Sequence, residues 1–121
     1  MATLLVNAGK AIITNRIKGS GTEPSYVAYG TGAGTTAAAD TTLFTETGTR
    51  QAGTSTQQTT STTNDTYQVV GTQTAGGTLA ITNAGLFDAS TSGNLFVKGD
   101  FSTINLSSGD SIQFTFKTQF S

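Results

Sequence analysis

The chain is 121 residues long, about one domain, with six Lys+Arg against seven Asp+Glu, a formal net charge of -1 and only 11% charged residues. It has no His, Cys or Trp, which excludes zinc fingers, thiol nucleophiles, disulfides, histidine haem ligation and histidine-based triads. A nearly neutral chain without a basic run is also poorly suited to nucleic acid.

Leu4, Leu5, Val6, Ala8, Ala11, Ile12, Ile13 and Ile17 cluster at the start of the chain. Leu5, Ala8, Ile12 and the stem of Arg16 fall at helical spacing. Lys10, Arg16 and Lys18 lie toward the end of this stretch, where cations suit the helix dipole, and Gly19-Ser20-Gly21 follows as a stop. The pattern predicts a helix over 3–18, with Gly9 and the β-branched Ile12 and Ile13 working against it. This 1–18 segment reads either as a helix packed on its own sheet or as an arm that docks on a larger partner. Its apolar run at 4–6 is far shorter than the ~18–20 residues of a membrane helix. The cations follow that run rather than precede it, unlike a signal peptide. Synthesis in the cytoplasm and a soluble product, with no membrane partner, are therefore expected.

Residues 19–121 read as one β-domain. Thr supplies about a fifth of the chain, and Thr, Ser and Gly together more than two fifths. Leu, Ile, Val and Phe make up roughly 21%, near the ~20% below which chains tend to disorder, but the high net charge typical of disorder is missing. That balance suggests an all-β domain with a thin core, in which oligomerisation supplies further burial. A short strand is predicted at 26–29, a flexible loop at 30–34 and a brief return to the core at Leu43 and Phe44. Residues 47–66 contain no large apolar side chain. They are expected to form an edge hairpin, a mobile loop or a strand pair buried only against another subunit.

Further on, strands are predicted at 67–74 and at 95–98, and 78–82 with 86–87 reads as a strand or a bulged pair around Asn83-Ala84-Gly85. Phe101, Ile104 and Leu106 lead to a turn at 107–110. Residues 111–120 alternate: Ile112, Phe114, Phe116 and Phe120 point one way and are assigned to the core. Short strands punctuated by turns predict a mainly β, antiparallel sandwich or jelly-roll-like domain with a short N-terminal helix or arm.

Catalytic constellations are weak. The glycine loop at 30–34 lacks the Lys-Ser/Thr of a phosphate loop and the helix and distant acid of a dinucleotide fold. Asp88, Asp100 and Asp110 each read as turn residues that bond nearby backbone, and they lack the close carboxylate spacing calcium requires. The abundant Ser and Thr have no His to activate them. No enzyme activity, cofactor or metal is expected. Two glycosylation sequons, at Asn64 and Asn105, arise by chance in a Thr- and Ser-rich chain.

Three blocks carry a resemblance. The first is Asn7-Ala8-Gly9-Lys10-Ala11-Ile12-Ile13-Thr14-Asn15 leading into Glu23-Pro24-Ser25-Tyr26-Val27-Ala28-Tyr29-Gly30-Thr31-Gly32. The second is Asp40-Thr41-Thr42-Leu43-Phe44-Thr45-Glu46 followed by Arg50. The third is Ile81-Thr82-Asn83-Ala84-Gly85-Leu86-Phe87-Asp88, then Phe101, Ile104, Leu106 and Gly109-Asp110-Ser111-Ile112. They resemble small virion structural proteins of tailed bacteriophages, with similar patterns in capsid decoration (cement) proteins and near the N-termini of tail-fibre proteins. The related pattern often has Glu where this chain has Asn83, so one acidic group is missing here.

The resemblance implies a virion location after synthesis in a bacterial host. Ending in a strand at 121 residues, with no shaft and no heptads, favours the capsid surface as an expectation. A trimer touching several subunits of the major capsid protein gains avidity and stabilises the assembled shell by mass action. In that reading Leu4, Leu5, Val6, Arg16 and Lys18 contact the capsid, and Arg50, Thr54, Thr56, Gln58 and Thr60 lie at the interface between copies. The alternatives are a tail, baseplate or tail-fibre adaptor and a carbohydrate-binding sandwich. The last is weakened by having no Trp and only three Tyr.

Overall fold

A computed structural model describes residues 3–121. Eight strands and one helix occur in the order β1 (Thr3–Leu5), α1 (Asn7–Lys18), β2 (Tyr26–Gly30), β3 (Glu46–Ala52), β4 (Thr54–Gln58), β5 (Thr66–Thr74), β6 (Leu79–Phe87), β7 (Leu95–Leu106) and β8 (Ser111–Gln119). The strands form two antiparallel sheets. The larger has the order β1-β7-β6-β2-β3 and the smaller β4-β5-β8. The fold is thus the expected sandwich with a short N-terminal helix.

The predicted helix over 3–18 begins late. Residues 3–5 instead form an edge strand paired with β7, with Leu5 opposite Val97, and Val6, fully buried, leads into the helix. Met1 and Ala2, the beginning of the predicted 1–18 arm, lie outside the described residues. Gly9, which weakens the helix by propensity, has a packing role. A Cβ there would collide with the carbonyl oxygen of Phe96, so glycine lets α1 lie directly on β7. Gly19, at φ 97°, ends the helix in the left-handed conformation, as the stop signal predicts.

The core lies between the sheets. Leu5, Val97, Leu86 and Val27 register side by side across β1, β7, β6 and β2. With Ile12 and Phe96 they pack against Val69, Phe114 and Phe116. At the far end Tyr29, Ile81 and Ala84 continue the core against Phe101, Leu106 and Ile112. Side chains alternate along strands, so the larger sheet has a second face. It too is apolar: Val6, Ala28, Leu43, Phe87 and Leu95 form a separate cluster there.

The Thr-rich middle supplies two edge strands and the turn of an antiparallel β4–β5 hairpin, so the edge-hairpin expectation holds for its second half. β3 is the outer strand of the larger sheet and β4 an outer strand of the smaller one, so the chain changes sheets at Gly53. The Gly53 N–H donates to the Ser25 carbonyl at 2.7 Å, and a Cβ there would lie 2.5 Å from Val69. Edge strands need little apolar side chain, which explains how a stretch without any can still supply β3 and β4. The irregularities of β6 flank the predicted place: pairing with β7 slips between Ile81 and Asn83 and again between Leu86 and Phe87, while Asn83, Ala84 and Gly85 pair regularly. Residues 95–106 form one continuous strand rather than a strand followed by a lead-in.

Candidate interaction surfaces

The second face of the larger sheet is closed by residues 31–44, which a row of polar side chains holds down. Lys98 on β7 is fully buried. Its Nζ lies 2.9 Å from Asp40 Oδ2, donates to the Thr42 carbonyl at 2.9 Å and sits 3.3 Å from the Phe44 ring centre. The Ala37 backbone N–H and then Lys98 hold the Asp40 carboxyl below its ordinary 3.8. Asn83 Oδ1 accepts from the Phe44 N–H at 3.0 Å, and its Nδ2 donates to the Phe44 carbonyl at 3.1 Å. Asp100 Oδ2 accepts from the Thr36 N–H at 2.7 Å, and the Thr82 hydroxyl donates to the Gly32 carbonyl. The strap is therefore a fixed structural element. Asn83, where the related pattern often carries Glu, is completely buried and uses its amide as both donor and acceptor to one backbone unit. A carboxylate could only accept.

Asp88 and Asp110 behave as the sequence suggests. Asp88 accepts from the Asn94 backbone N–H at 2.7 Å, and Asp110 from the Ser107 N–H at 2.7 Å. Asp100 does not: it sits within β7 and reaches across to the strap. Asp65 organises the β4–β5 turn. Its carboxylate accepts from the N–H groups of Thr60, Ser61 and Thr62, which holds its pKa far below the usual range. The Tyr67 hydroxyl donates to Glu23 and to the Pro24 carbonyl; burial, then Glu23, pushes its pKa well up. Among the described residues, no group of three or more acidic side chains is placed to hold a metal ion, and no helix is long and apolar enough to cross a membrane.

The residues expected at a capsid contact are scattered. Leu4 is 37% exposed on edge strand β1. Leu5 packs into the core. Val6 is fully buried beneath the strap and cannot touch a partner, because the chain enters the helix there by crossing under the sheet face. Arg16 and Lys18 are exposed at the end of α1, with Arg16 donating to the Gly21 carbonyl at 3.0 Å. Of the residues expected between copies, Thr54, Thr56 and Gln58 are exposed on β4. The Thr60 hydroxyl lies 2.6 Å from that of Thr66. Arg50 is engaged internally. It pairs with Glu46 at 2.8 Å, donates to the carbonyls of Ala89 and Ser92, and stacks 3.6 Å from the Phe87 ring centre.

The core assignment for the last strand also needs revision. Ile112, Phe114 and Phe116 face inward but are only partly buried, because β8 is an edge strand of the thinner sheet. Phe120 lies past its end and is 47% exposed. Together with Ile17, 81% exposed, it borders a groove of about 430 Å³ lined chiefly by apolar atoms of Ile13, Pro24, Tyr67 and Phe96. Sequence reasoning missed this groove. The isolated apolar Ile17 between Arg16 and Lys18 was its one visible trace.

The fold is a small β-sandwich in which Asp40, Asp65, Asp88, Asp100 and Asp110 bond within their own scaffold. The family described as podophage GP4 fiber I protein gp80 matches residues 9–119, and the chain belongs to that family. This agrees with the resemblance to phage virion structural proteins and favours the tail-fibre alternative over capsid decoration. No curated protein and no solved structure matches the chain.

Proposed function

We propose that this chain is a non-enzymatic structural module of a phage tail fibre, joining other virion components through its surface. The observation that carries the reading is the family match, which runs from within α1 to the end of β8 and covers every strand but β1. The scaffold supports it: rigid strap, internally bonded carboxylates and edge strands suit a part that positions neighbours rather than one that transforms a ligand. The lack of heptads, which favoured the shell, says nothing about shafts supplied by other chains. A sugar-binding role fits less well. Tyr29 is buried, so at least one of the three tyrosines offers no platform. Assembly as a trimer through β4 belongs to the same proposal.

The test is location and copy number. Quantitative mass spectrometry of purified virions, scaled to the major capsid protein, should give a small fraction of the capsid count. Antibody-gold labelling should mark the tail end. A count close to that of the capsid protein, with label over the whole shell, would return the chain to the decoration role.

A further inference from the structure

We infer that β4 of one copy docks on the β8 edge of the next, alongside residues 115–119, so that the smaller sheets of three copies join into one closed wall. This rests on the trimer proposed above and names the surface that β4 meets. Three observations lead to it.

The first is symmetry and the state of the edges. Contacts in a ring of three are heterologous: a patch on one copy meets a different patch on the next. β4 against β4 would close at two copies and leave β8 open. β4 and β8 are the two outer strands of the smaller sheet, and an outer strand presents an unpaired row of backbone groups. β4 carries no charge and β8 carries only Lys117. The outer strands of the larger sheet suit pairing less well: β3 carries Glu46 and Arg50, and β1 is three residues long.

The second is missing cover. The smaller sheet has three strands against five in the larger, and its cover ends at β8. Between that edge and β1 lies a cleft of about 420 Å³, lined by Leu4, Leu5 and Val97 and by residues 115–119 of β8. A fourth strand in the smaller sheet, beside β8, would cover it.

The third is register. Thr54, Val70 and Thr115 stand in one row across the smaller sheet, then Thr56, Gln68 and Lys117, then Gln58, Thr66 and Gln119. β4 therefore spans the same height as residues 115–119, the stretch of β8 that lines the cleft. Rotation about an axis along the strands moves no copy up or down, so the neighbour's β4 arrives at that height. β4 and β8 are both antiparallel to β5, so the new pair runs parallel, with Thr56 of one copy beside Lys117 of the next. No like charges meet there.

The chain has no Cys, so introduced pairs report this contact without background. Thr56→Cys is combined in the full chain with Thr115→Cys, Lys117→Cys or Gln119→Cys. Each variant is oxidised and run on a denaturing gel without reductant. All four positions are exposed, and the reduced variants should melt like the parent chain. Within one copy, β4 and β8 are two strand spacings apart, about 10 Å, beyond the roughly 7 Å that a disulfide spans. Links therefore form only between copies. The inference expects most of the chain in a covalent trimer, with the highest yield from Lys117→Cys, and only traces of dimer from either single variant, Thr56→Cys or Lys117→Cys. Ample dimer from Thr56→Cys alone overturns it in favour of β4 against β4, and from Lys117→Cys alone in favour of β8 against β8. Sedimentation of the parent chain separates the remaining outcomes. A trimer with no link at any of the three β8 positions overturns the docking and leaves the trimer standing. A monomer overturns the trimer itself, and the docking with it.

Discussion

The two sheets are built for different depths. The larger has cover on both faces, from the smaller sheet on one side and the 31–44 strap on the other, and its inner strands are nearly continuous in buried residues: Val27, Ala28, Tyr29 and Gly30 in β2, and Leu95 through Gly99 in β7. The smaller has cover on one face only, and β8 alternates between exposed and half-buried at every residue. Two-sided cover calls for apolar runs and one-sided cover for alternation. The larger sheet therefore carries the stability, and the smaller sheet is free to offer surface.

Truncations should separate them most sharply. Phe96→Ala removes a ring that is 2% exposed and meets Tyr67 edge-on at 5.9 Å. It should cost about 3–5 kcal/mol in urea unfolding. Phe114→Ala, half-buried and stacked 6.0 Å from Phe116, should cost about half as much, since part of its surface already meets water. Equal costs would mean that β8 is covered as well as β7 is.

The strap gives the next contrast. Asp40→Asn leaves the Lys98 ammonium fully buried with its charge uncompensated, and should cost about 3 kcal/mol. Lys98→Met removes the buried charge, keeps the stem volume and leaves an Asp40 that water can reach, so it should cost markedly less. Thermal unfolding of the two variants checks the order. If Lys98→Met proves the worse, the pair is held by its packing on Phe44 rather than by charge.

Acid acts on both sheets through carboxylates. Asp40 in the strap and Asp65 in the β4–β5 turn are both held below 3.8 in the folded chain. The folded state therefore binds fewer protons than the unfolded state near pH 4. Their contribution is fully present above that pH and is lost as pH falls through the depressed values. The melting temperature should stay level from pH 7 to about 5 and decline below about 4. Asp65→Asn should make that decline shallower. An unchanged acid limb would show that the Asp65 turn opens before the sheets do.

Much of this architecture was legible in the sequence, and the failures share a cause. The β8 alternation, the Ser107–Asp110 turn and the Gly19 stop are local signals, and each is present. Depth of burial is not local. Phe120 continues the alternation of β8 but has passed the end of the covering sheet. Val6 reads as part of an exposed arm, yet the strap that covers it comes more than 30 residues later. Arg50 reads as a surface cation because its carbonyl partners lie about 40 residues away. The Thr-rich middle fills two edge strands, a role for which weak hydrophobicity is a qualification rather than a defect.

The smallest effect on the fold should be the most informative about assembly. Thr56 and Gln58 are exposed on β4, a short edge strand with no charge and no proline. Natural edges usually carry such guards against pairing, so their absence fits a strand meant to meet another copy. Thr56→Lys with Gln58→Lys places two cations on that edge. Far from the core, the pair should change monomer stability by less than about 0.5 kcal/mol. In sedimentation at matched concentration, the unmodified chain should run as a trimer and the variant as a monomer, because like charges on facing strands repel and lose hydration together. An intact trimer in the variant would move the contact between copies away from β4. The other free edge of the same sheet, β8, would then be the next place to put the charge, since its Lys117 leaves the remaining polar positions of that strand uncharged.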